Sequence, residues 1–400
     1  MELPAFWRRV HSVMDERQLD ALVASSPENV SYLADIPRLP SVMDAVNVHV
    51  VVFRELRRDP AIIMPAVSLD HYAQSTSEIK DVRIYNPFYY FKTEGLDYAR
   101  LSEAERKLAT IYFGQPLAKG IVESLVQVLR ERGIVKGKIG FDETNVNASR
   151  MGALKRALPK TSIVRAKRIF EMIRMVKTEE EIERIRRAVE ATEKGIQAVM
   201  DAAKPGVVNR ELQLVYQTTV MRHGCVPHFA AIAAGTEGAL VNHLPSDYVL
   251  SRGDTIRIDC NAIYRNYLSD VGRNAVLGRP SVKVEKYCQA LVTGLDALEQ
   301  TVRPDVKLSE LFEKAVTTVR RSGIPHYERQ NVGHSIGLQV VEPPVITPDN
   351  DIRLQENMVI AIEMPYYEIG FGSFNPEETI LVTKEGSERL TRTENKLYVL

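Results

Sequence analysis

Two aspartates stand inside a strand-like segment, GDTIRIDCNAIYRNYLSDVGR at residues 253–273, and they limit how it can fold. Isoleucines alternate along its first half, and a tight turn near residues 264–266 predicts a hairpin. In a hairpin with a two-residue turn, the residue numbers of two directly paired positions add up to an odd number, and paired side chains lie on the same face of the sheet. The sum of 259 and 270 is odd, so Asp259 and Asp270 lie on the same face. Like charges so placed destabilise a sheet, and the segment therefore predicts a positive group between them.

Two explanations for these aspartates are open on the sequence alone. In an ordinary structural explanation, one aspartate caps a turn and the other pairs with Arg273. In the other explanation, both carboxylates bind a metal ion. The segment taken alone does not favour either.

Further acidic residues stand at the ends of two other apolar runs. NMVIAIEMPYY, at residues 357–367, contains an apolar strand-like run that ends on Glu363. NPEETILVT, at residues 375–383, begins a strand with Glu377 and Glu378. Neither run contains lysine or arginine, although a buried carboxylate costs several kcal/mol unless a cation pairs with it. These segments therefore predict that basic partners or metal ions lie nearby.

A histidine completes this set of polar residues. VGHSIGLQVVEPP, at residues 332–344, places His334 between two glycines, a setting in which a lone histidine is usually a core or turn residue. Together with the acids it gives four carboxylates and one imidazole: Asp259, Asp270, His334, Glu363 and Glu377. Hard oxygen donors with a single nitrogen suit Mn, Co, Fe or Zn, and four negative charges balance two divalent ions. A dinuclear metal site is the simplest interpretation.

Composition excludes several classes of partner. The 52 basic residues balance the 52 acidic residues, so no overall field favours nucleic acid or an anionic membrane. The three cysteines show no CxxC spacing, which fits a reducing cytoplasm. The N-terminal stretch MELPAFWRRVHSVMDERQLDAL lacks the apolar centre of a signal peptide, and no apolar run approaches the length of a membrane span. We expect a cytoplasmic protein that acts on a small molecule.

The chain of 400 residues is long enough for two domains. The first part alternates helical and strand-like segments, which predicts an α/β domain with a small mixed sheet. A long helix then begins at a capping box formed by Thr178 and Glu181 and ends before Pro205 and Gly206. We place the boundary just before this helix, with domains at residues 1–171 and 172–400.

The residues quoted above resemble those of the creatinase, prolidase and aminopeptidase P group of pita-bread metallopeptidases. The likeness covers nearly the whole chain and includes DALVASSPENVSYLADIP, which is similar to part of the creatinase-type N-terminal domain of that group. It implies an α/β (α+β) fold with that domain followed by a pita-bread domain. It also implies that five residues bind metal: Asp259, Asp270 of the SD motif, His334 of GHSIGL, Glu363 of IE, and Glu377 before ETILVT. The glycines around His334 would admit substrate close to the backbone.

The resemblance assigns further histidines to the substrate. His243, in AAGTEGALVNHLPSD, matches a histidine that faces the substrate in relatives and assists the leaving group or the intermediate. The ordinary alternative is a loop residue ahead of Pro245. His228 is expected to flank the pocket, whereas His326, after a proline, is expected to be structural.

Three substrate positions depart from the family pattern. Peptidases of the group commonly carry histidine at the positions of Gln330 and Val341, and arginine at the position of Asn375. Val341 cannot donate a hydrogen bond, and Asn375 carries no charge. The expected metal centre is intact, but peptide recognition is altered, so we expect a poor or narrow Xaa-Pro peptidase.

The predicted function is that of a dinuclear metal-dependent hydrolase similar to Xaa-Pro dipeptidase or aminopeptidase P, cleaving a C–N bond with a metal-bridging hydroxide. Glu363 would shuttle the proton, and His243 would donate to the leaving nitrogen or stabilise the oxyanion. Alternatives are a non-peptide member of the same fold, such as an ectoine hydrolase or a lyase, and a non-catalytic binding protein. The resemblance also implies a homodimer. For the aromatic run NPFYYF, at residues 86–91, two roles are open: an apolar wall of the substrate pocket that reaches across a dimer interface, or ordinary hairpin packing, which we favour.

Overall fold

The computed structural model describes residues 4–37 and 47–400, which form two compact units divided between Ile173 and Arg174. Helices and strands alternate in the first unit. Its elements are α1 (Ala5–Glu16), β1 (Ala21–Ala24), α2 (Pro27–Ala34), β2 (His49–Phe53), β3 (Ala61–Pro65), α3 (Leu69–Ala73), β4 (Asp81–Tyr85), α4 (Glu103–Gly114), α5 (Ile121–Glu131), β5 (Gly137–Phe141), α6 (Ala148–Ala157), β6 (Thr161–Arg165) and α7 (Lys167–Met175), which contains the unit boundary.

A mixed sheet lies at the centre of the first unit. In its described residues, six strands follow the order β4-β3-β2-β1-β5-β6, with β1 antiparallel to β2 and parallel to β5. Apolar residues of α5, among them Leu125 and Leu129, pack with strand residues such as Val23 and Ile139. The α/β class and the mixed sheet predicted from the alternation of segments are confirmed.

The aromatic run at residues 86–91 lies outside any helix or strand. The side chains of Phe88, Tyr89 and Phe91 are exposed. The hairpin packing favoured from the sequence is therefore wrong, because no partner strand covers these rings in the first unit as described.

The second unit combines long helices with a large sheet. Its elements are α8 (Glu179–Ala202), α9 (Asn209–Arg222), β7 (Val226–Ala234), β8 (Thr255–Tyr264), β9 (Tyr267–Leu268), β10 (Val271–Val276), α10 (Val282–Glu299), α11 (Leu308–Ser322), β11 (Gly333–Ser335), β12 (Glu342–Val345), β13 (Val359–Glu363), β14 (Tyr366–Glu368), β15 (Gly372–Phe374), β16 (Glu377–Val382), β17 (Ser387–Arg389) and β18 (Leu397–Val399). The capping box predicted at the start of α8 is present, since Thr178 and Glu181 each accept a hydrogen bond from the other's backbone N–H.

The main sheet of this unit brings the acidic strands together. Its central path runs β12-β11-β13-β16-β10-β8-β7, so the strands that carry His334, Glu363, Glu377 and Asp259 are consecutive or separated by β10 alone. Helices α8 and α9 pack against β7 and β8. Residues of α10 and α11 form a second core with residues of β13 and β16. Both helix pairs cover the face of the sheet that carries residues such as Ile258 and Ile362, whereas Asp259, Glu363 and Glu377 lie on the other face.

No helix within residues 4–37 and 47–400 combines the length and the apolar character that crossing a bilayer would require.

Candidate metal centre

Strand β8 separates polar from apolar residues by simple alternation. Asp259 lies on one face together with Arg257 and Asn261, whereas the intervening residues Ile258 and Cys260 point to the other face and are fully buried. The chain reverses at Arg265 and Asn266, both with positive φ, and β10 returns beside β8 with Gly272 opposite Asp259. The predicted hairpin is confirmed, and Asp270 lies diagonally across from Asp259 on the same face.

Two rows of residues cross the sheet at this point. In the first row, Asp259 is opposite Gly272, Gly272 is opposite Glu377, and Glu377 is opposite Glu363. Gly272 leaves the space between the acids open: a Cβ there would lie 2.9 Å from the Glu377 Cβ and 2.3 Å from the Asn375 carbonyl oxygen. Three carboxylates from three strands thus converge on one side of a single ladder row.

The second row lies two residues further along the strands. His334 is opposite Ala361, and Ala361 is opposite Thr379, whose hydroxyl donates to the Asp270 carbonyl oxygen at 2.6 Å. Asn261 Nδ2 donates to Asp270 Oδ1 at 2.5 Å. His334 and Asp270 therefore face the same space as the three acids of the first row.

Three of the five predicted metal ligands come together closely. Ligand atoms of Asp270, His334 and Glu377 all lie within 4.8 Å of one another, and His334 Nε2 is 3.6 Å from Asp270 Oδ2. Asp259 and Glu363 border this group from the first row, and Asn375 Nδ2 joins Asp259 to Glu377 at 3.3 and 3.1 Å. The donor set fits divalent ions, because it holds two buried acids, Asp270 and Glu377, and two half-buried acids, Asp259 and Glu363. Among the described ion pairs, only one arginine, Arg257, pairs with any of these four acids.

His334 is held in the form that a metal ligand needs. Burial lowers the pKa of its imidazole, which favours the neutral ring. Nδ1 lies 3.2 Å from the Ser335 carbonyl oxygen, so an Nδ1–H donates there and Nε2 keeps its lone pair on the side of Asp270. The buried Lys177 donates to Ser335 Oγ at 2.9 Å and supports the same turn of chain.

The glycines beside His334 allow close packing of the protein around this histidine. Gly333 has φ +143°, and a Cβ there would lie 2.2 Å from the Ala361 carbonyl oxygen. A Cβ on Gly337 would meet Glu342 Oε2 at 3.0 Å. These glycines let neighbouring parts of the protein approach the backbone closely. The approach of substrate to the same backbone, expected from the sequence, stays a prediction.

Burial and mutual repulsion oppose ionisation of the acids. Burial raises the pKa of Asp259 from 3.8 to about 6, although Arg257 acts in the opposite direction. Burial and then the neighbouring carboxylates raise the pKa of Asp270 and of Glu377 well above their ordinary values. Burial also raises the pKa of Glu363. The metal-free cluster therefore holds protons that a bound cation would displace.

The metal-free protein should become less stable as pH rises. The folded chain keeps the Asp259 proton up to about pH 6, whereas the unfolded chain releases it near 3.8. The contribution of this group to the free energy of unfolding is therefore fully present below pH 3.8 and lost as pH rises through about 6. Added Mn²⁺ should act oppositely and stabilise more at higher pH, because it binds the deprotonated ligands. Urea unfolding across this range, with and without chelator, measures both trends; identical pH profiles would contradict a cluster of proton-holding ligands.

His243 lies buried in the segment between the 3₁₀ turn Gly235–Glu237 and β8. Its Nε2 is 2.9 Å from Glu237 Oε2, which also accepts a hydrogen bond from Ser246 Oγ at 2.5 Å. Burial alone would raise the pKa of Glu237, but the hydrogen bonds from Ser246 and His243 outweigh burial and lower it. The acid therefore stays ionised and orients the ring, and within the described residues His243 Nδ1 is buried with no hydrogen-bond partner.

The other residues predicted to contact substrate lie in different environments. Asn375 is buried among the acids, as its contacts with Asp259 and Glu377 require. Val341 is 56% exposed, and Gln330 and His228 are also exposed. Their assignment to substrate remains a prediction. His326, expected to be structural, is exposed and lies 3.1 Å from the Tyr366 hydroxyl.

Sequence reasoning missed two residues of this region and misplaced a third. Arg257 is fully buried, and its Nη1 donates to Asp259 Oδ2 at 3.1 Å, so it is a positive group predicted near the aspartates. Its position two residues before Asp259 in a strand was a usable signal, since such residues share a face. Glu237 gave no comparable signal. Arg273, proposed as a partner for one aspartate, lies on the opposite face and pairs with Glu378 at 3.2 Å.

Comparison with known proteins gives consistent matches. Residues 183–384 match the sequence model of metallopeptidase family M24, and residues 7–176 match that of the creatinase/prolidase N-terminal domain. The Xaa-Pro dipeptidase of Pyrococcus horikoshii is 32% identical over 251 residues, 62% of this chain and 72% of that protein. The Xaa-Pro dipeptidase of Pyrococcus furiosus is 32% identical over 243 residues, 60% and 70% of the two chains.

Solved structures of similar fold span nearly the whole chain. The prolidase of Pyrococcus horikoshii superposes with a TM-score of 0.78 at 23% identity, over 98% of this chain and 99% of that chain. The X-Pro aminopeptidase of Thermotoga maritima gives a TM-score of 0.79 at 22% identity, over 98% and 99%. The predicted fold, a creatinase-type N-terminal domain followed by a pita-bread domain, is confirmed.

Proposed function

Because the chain belongs to metallopeptidase family M24, as the resemblance in its sequence implied, we propose that it hydrolyses dipeptides with proline in the second position. The protein is a metal-dependent peptidase, and its substrate is a small peptide. The named activity of the two Pyrococcus relatives, Xaa-Pro dipeptidase, supports the narrower assignment. The observation that carries it is the cluster of Asp270, His334 and Glu377, bordered by Asp259 and Glu363.

We infer that two divalent ions bind here, held by Asp259, Asp270, His334, Glu363 and Glu377. Four acids with raised pKa in a buried sheet support two cations rather than one, since two divalent ions balance four carboxylates. When bound, such ions make water acidic enough to act as a nucleophile at neutral pH and polarise a substrate carbonyl. Mn, Co, Zn and Fe all suit this donor set, and metal analysis after reconstitution with each ion alone identifies the one retained.

Glu363 is proposed to move the proton. It ends β13, its pKa is raised by burial, and its side chain faces the acids of the first row. A carboxylate in that environment can take the proton that the attacking water loses, while donation to the leaving nitrogen is assigned to His243. Glu363 is half-buried, whereas Asp270 and Glu377 are buried, which suits a group that exchanges protons.

His243 is proposed to face the substrate through Nδ1. Glu237 accepts from Nε2 and would stabilise the ring when it carries two protons. Nδ1 then has a proton for the leaving nitrogen or for the oxyanion.

We expect the Xaa-Pro peptidase activity to be poor or narrow in its substrates. Val341 cannot donate a hydrogen bond, and loss of one oxyanion-type donor costs about 3 kcal/mol, a factor of about 10² to 10³ in rate. Asn375 lies against Asp259 and Glu377, so its amide is committed to the acids rather than to a substrate carboxylate. Steady-state kinetics on Xaa-Pro dipeptides, Xaa-Ala dipeptides and Xaa-Pro tripeptides, with metal-loaded protein, tests both the activity and its breadth.

The substitution Val341→His restores the residue that peptidases of the group commonly carry at this position. It should broaden the set of cleaved dipeptides without changing metal content. Equal, high efficiency of the unmodified protein on many Xaa-Pro dipeptides would contradict the narrowness while supporting the function. Turnover of none of these peptides by protein that holds two ions would contradict the function, and amides and cyclic amidines would then test the non-peptide alternative.

We also propose that the protein is a homodimer, and light scattering tests this by measuring its molar mass in solution. Exposed aromatic side chains at Phe88, Tyr89 and Phe91 support it by offering apolar surface. The cytoplasmic location expected from the sequence stays a prediction.

A further inference from the structure

Arg257 contacts three separate segments of the second unit from a fully buried position. Its Nη1 donates to Asp259 Oδ2 at 3.1 Å, and its Nε donates to Ser373 Oγ at 3.0 Å. Its Nη2 donates to the carbonyl oxygens of Leu240 and Val241 at 2.7 and 2.8 Å. One planar guanidinium can make all these contacts because its five N–H groups point in fixed directions.

The backbone at residues 240–241 is held by these two hydrogen bonds and by one from the Leu240 N–H to the Glu237 carbonyl oxygen. The side chains of Leu240 and Val241 are 56% and 49% exposed, so apolar burial does little to hold the backbone there. Their carbonyl groups instead turn inward to Arg257. Two residues later the chain reaches His243, whose ring is buried. The backbone that carries His243 is therefore tied to the strand that carries Asp259.

We propose that Arg257 is a positioning residue that fixes His243 relative to Asp259. The inference rests on the proposed function, since it takes His243 to face substrate and Asp259 to bind metal. Arg257 itself contacts no reacting atom in this scheme. Its guanidinium joins the proposed metal ligand Asp259 to the backbone at residues 240–241, which leads to His243. A shift of Asp259 or of this backbone is therefore resisted by the hydrogen bonds of the same rigid group.

A simpler role for Arg257 would be to supply positive charge beside the acids. The substitution Arg257→Lys separates the two roles, because lysine keeps the charge but is a compact group that cannot reach Asp259 and both carbonyl oxygens together. We expect Arg257→Lys to retain both metal ions and to lose about 10- to 100-fold in kcat, with a smaller change in KM. A charge-only role predicts near-normal kcat.

Hydrogen exchange provides a readout that needs no turnover. In metal-loaded Arg257→Lys, amides of residues 238–245 should exchange about tenfold faster or more, because two charge-assisted hydrogen bonds to this segment are lost. Asn375→Ala is the matched control, since Asn375 contacts the same Asp259 oxygen but is not bonded to residues 240–241. It should leave exchange in residues 238–245 unchanged.

A double-mutant cycle with His243→Ala shows whether Arg257 acts through His243. In the His243→Ala background, Arg257→Lys should lower kcat no further, because the positioned group is already absent. Additive losses in kcat, or unchanged exchange in residues 238–245, would overturn the proposal. The exchange experiment gives its result even if the protein cleaves no Xaa-Pro peptide, so failure of the proposed function remains distinguishable.

Folding of the variants is checked by circular dichroism and thermal unfolding. Arg257→Gln serves as a second variant, since its neutral amide fills part of the same space and keeps at most part of the contacts. It should accelerate exchange in residues 238–245 at least as much as lysine does. Failure of both variants to fold would overturn the positioning role in favour of a purely structural one.

Discussion

Replacing Glu377 with glutamine should abolish turnover while making the metal-free protein more stable. Glu377 contributes a ligand atom to the close group with Asp270 and His334, and glutamine removes its charge. A bound ion supplies several kcal/mol of transition-state stabilisation, so its loss corresponds to a fall of about 10³-fold or more in kcat. Without metal, burial and the neighbouring carboxylates already oppose ionisation of Glu377, so removing the acid relieves that cost at neutral pH.

Glu378→Gln is the matched control because the two glutamates are adjacent but lie on opposite faces of β16. Glu378 is fully buried and pairs with Arg273 at 3.2 Å, so breaking this pair should cost about 3–5 kcal/mol of unfolding free energy. Metal content should persist in the folded fraction of this variant. Glu377→Gln should therefore lose turnover and become more stable without metal, whereas Glu378→Gln should keep its metal and become less stable. Metal analysis, kcat and urea unfolding measure these differences. Wild-type metal content in Glu377→Gln would remove Glu377 from the site.

The second large effect is expected at His243. Replacing it with alanine should lower kcat by roughly 10² to 10⁴, the range for loss of a general acid or base, while both ions remain bound. The physical reason is that His243 touches none of the acids of the cluster and has Glu237 as its ring partner. Pre-steady-state and steady-state kinetics, together with metal analysis of the same samples, measure the two outcomes separately.

Glu237→Gln tests how His243 is used. Glutamine can still contact Nε2 but carries no charge, so it stabilises the doubly protonated ring less. We expect a smaller loss of kcat than for His243→Ala and a shift in the pH dependence of kcat, with metal content unchanged. Loss of metal in either variant, or full activity in His243→Ala, would show that His243 is not a substrate residue.

Much of the candidate site was predictable because strands impose a period of two. Odd parity alone placed Asp259 and Asp270 on one face, and the structure has them diagonal across β8 and β10. Apolar runs that end on Glu363 and begin at Glu377 marked two buried strands, which are paired at those residues. The boundaries of α8 followed from a capping box and a proline, both local signals.

The order of strands in the sheet could not be obtained from such local patterns. That β13 lies beside β16, and β16 beside β10, depends on how α10 and α11 pack on the sheet. This order decides that Gly272 lies between Asp259 and Glu377 and leaves room for the cluster. The periodicity of each strand shows which of its side chains share a face, but not which strand lies beside it.

Contacts between distant segments were the hardest to predict from the sequence. The alternation on β8 identifies the face of Arg257, but its bonds to residues 240–241 and to Ser373 depend on loops that no local rule positions. The ionic partner of Arg273 and the exposure of Phe88, Tyr89 and Phe91 were misjudged for the same reason. A residue's own neighbours along the chain fix its backbone preference and its face, whereas its partner in space is selected by the packing of the whole unit.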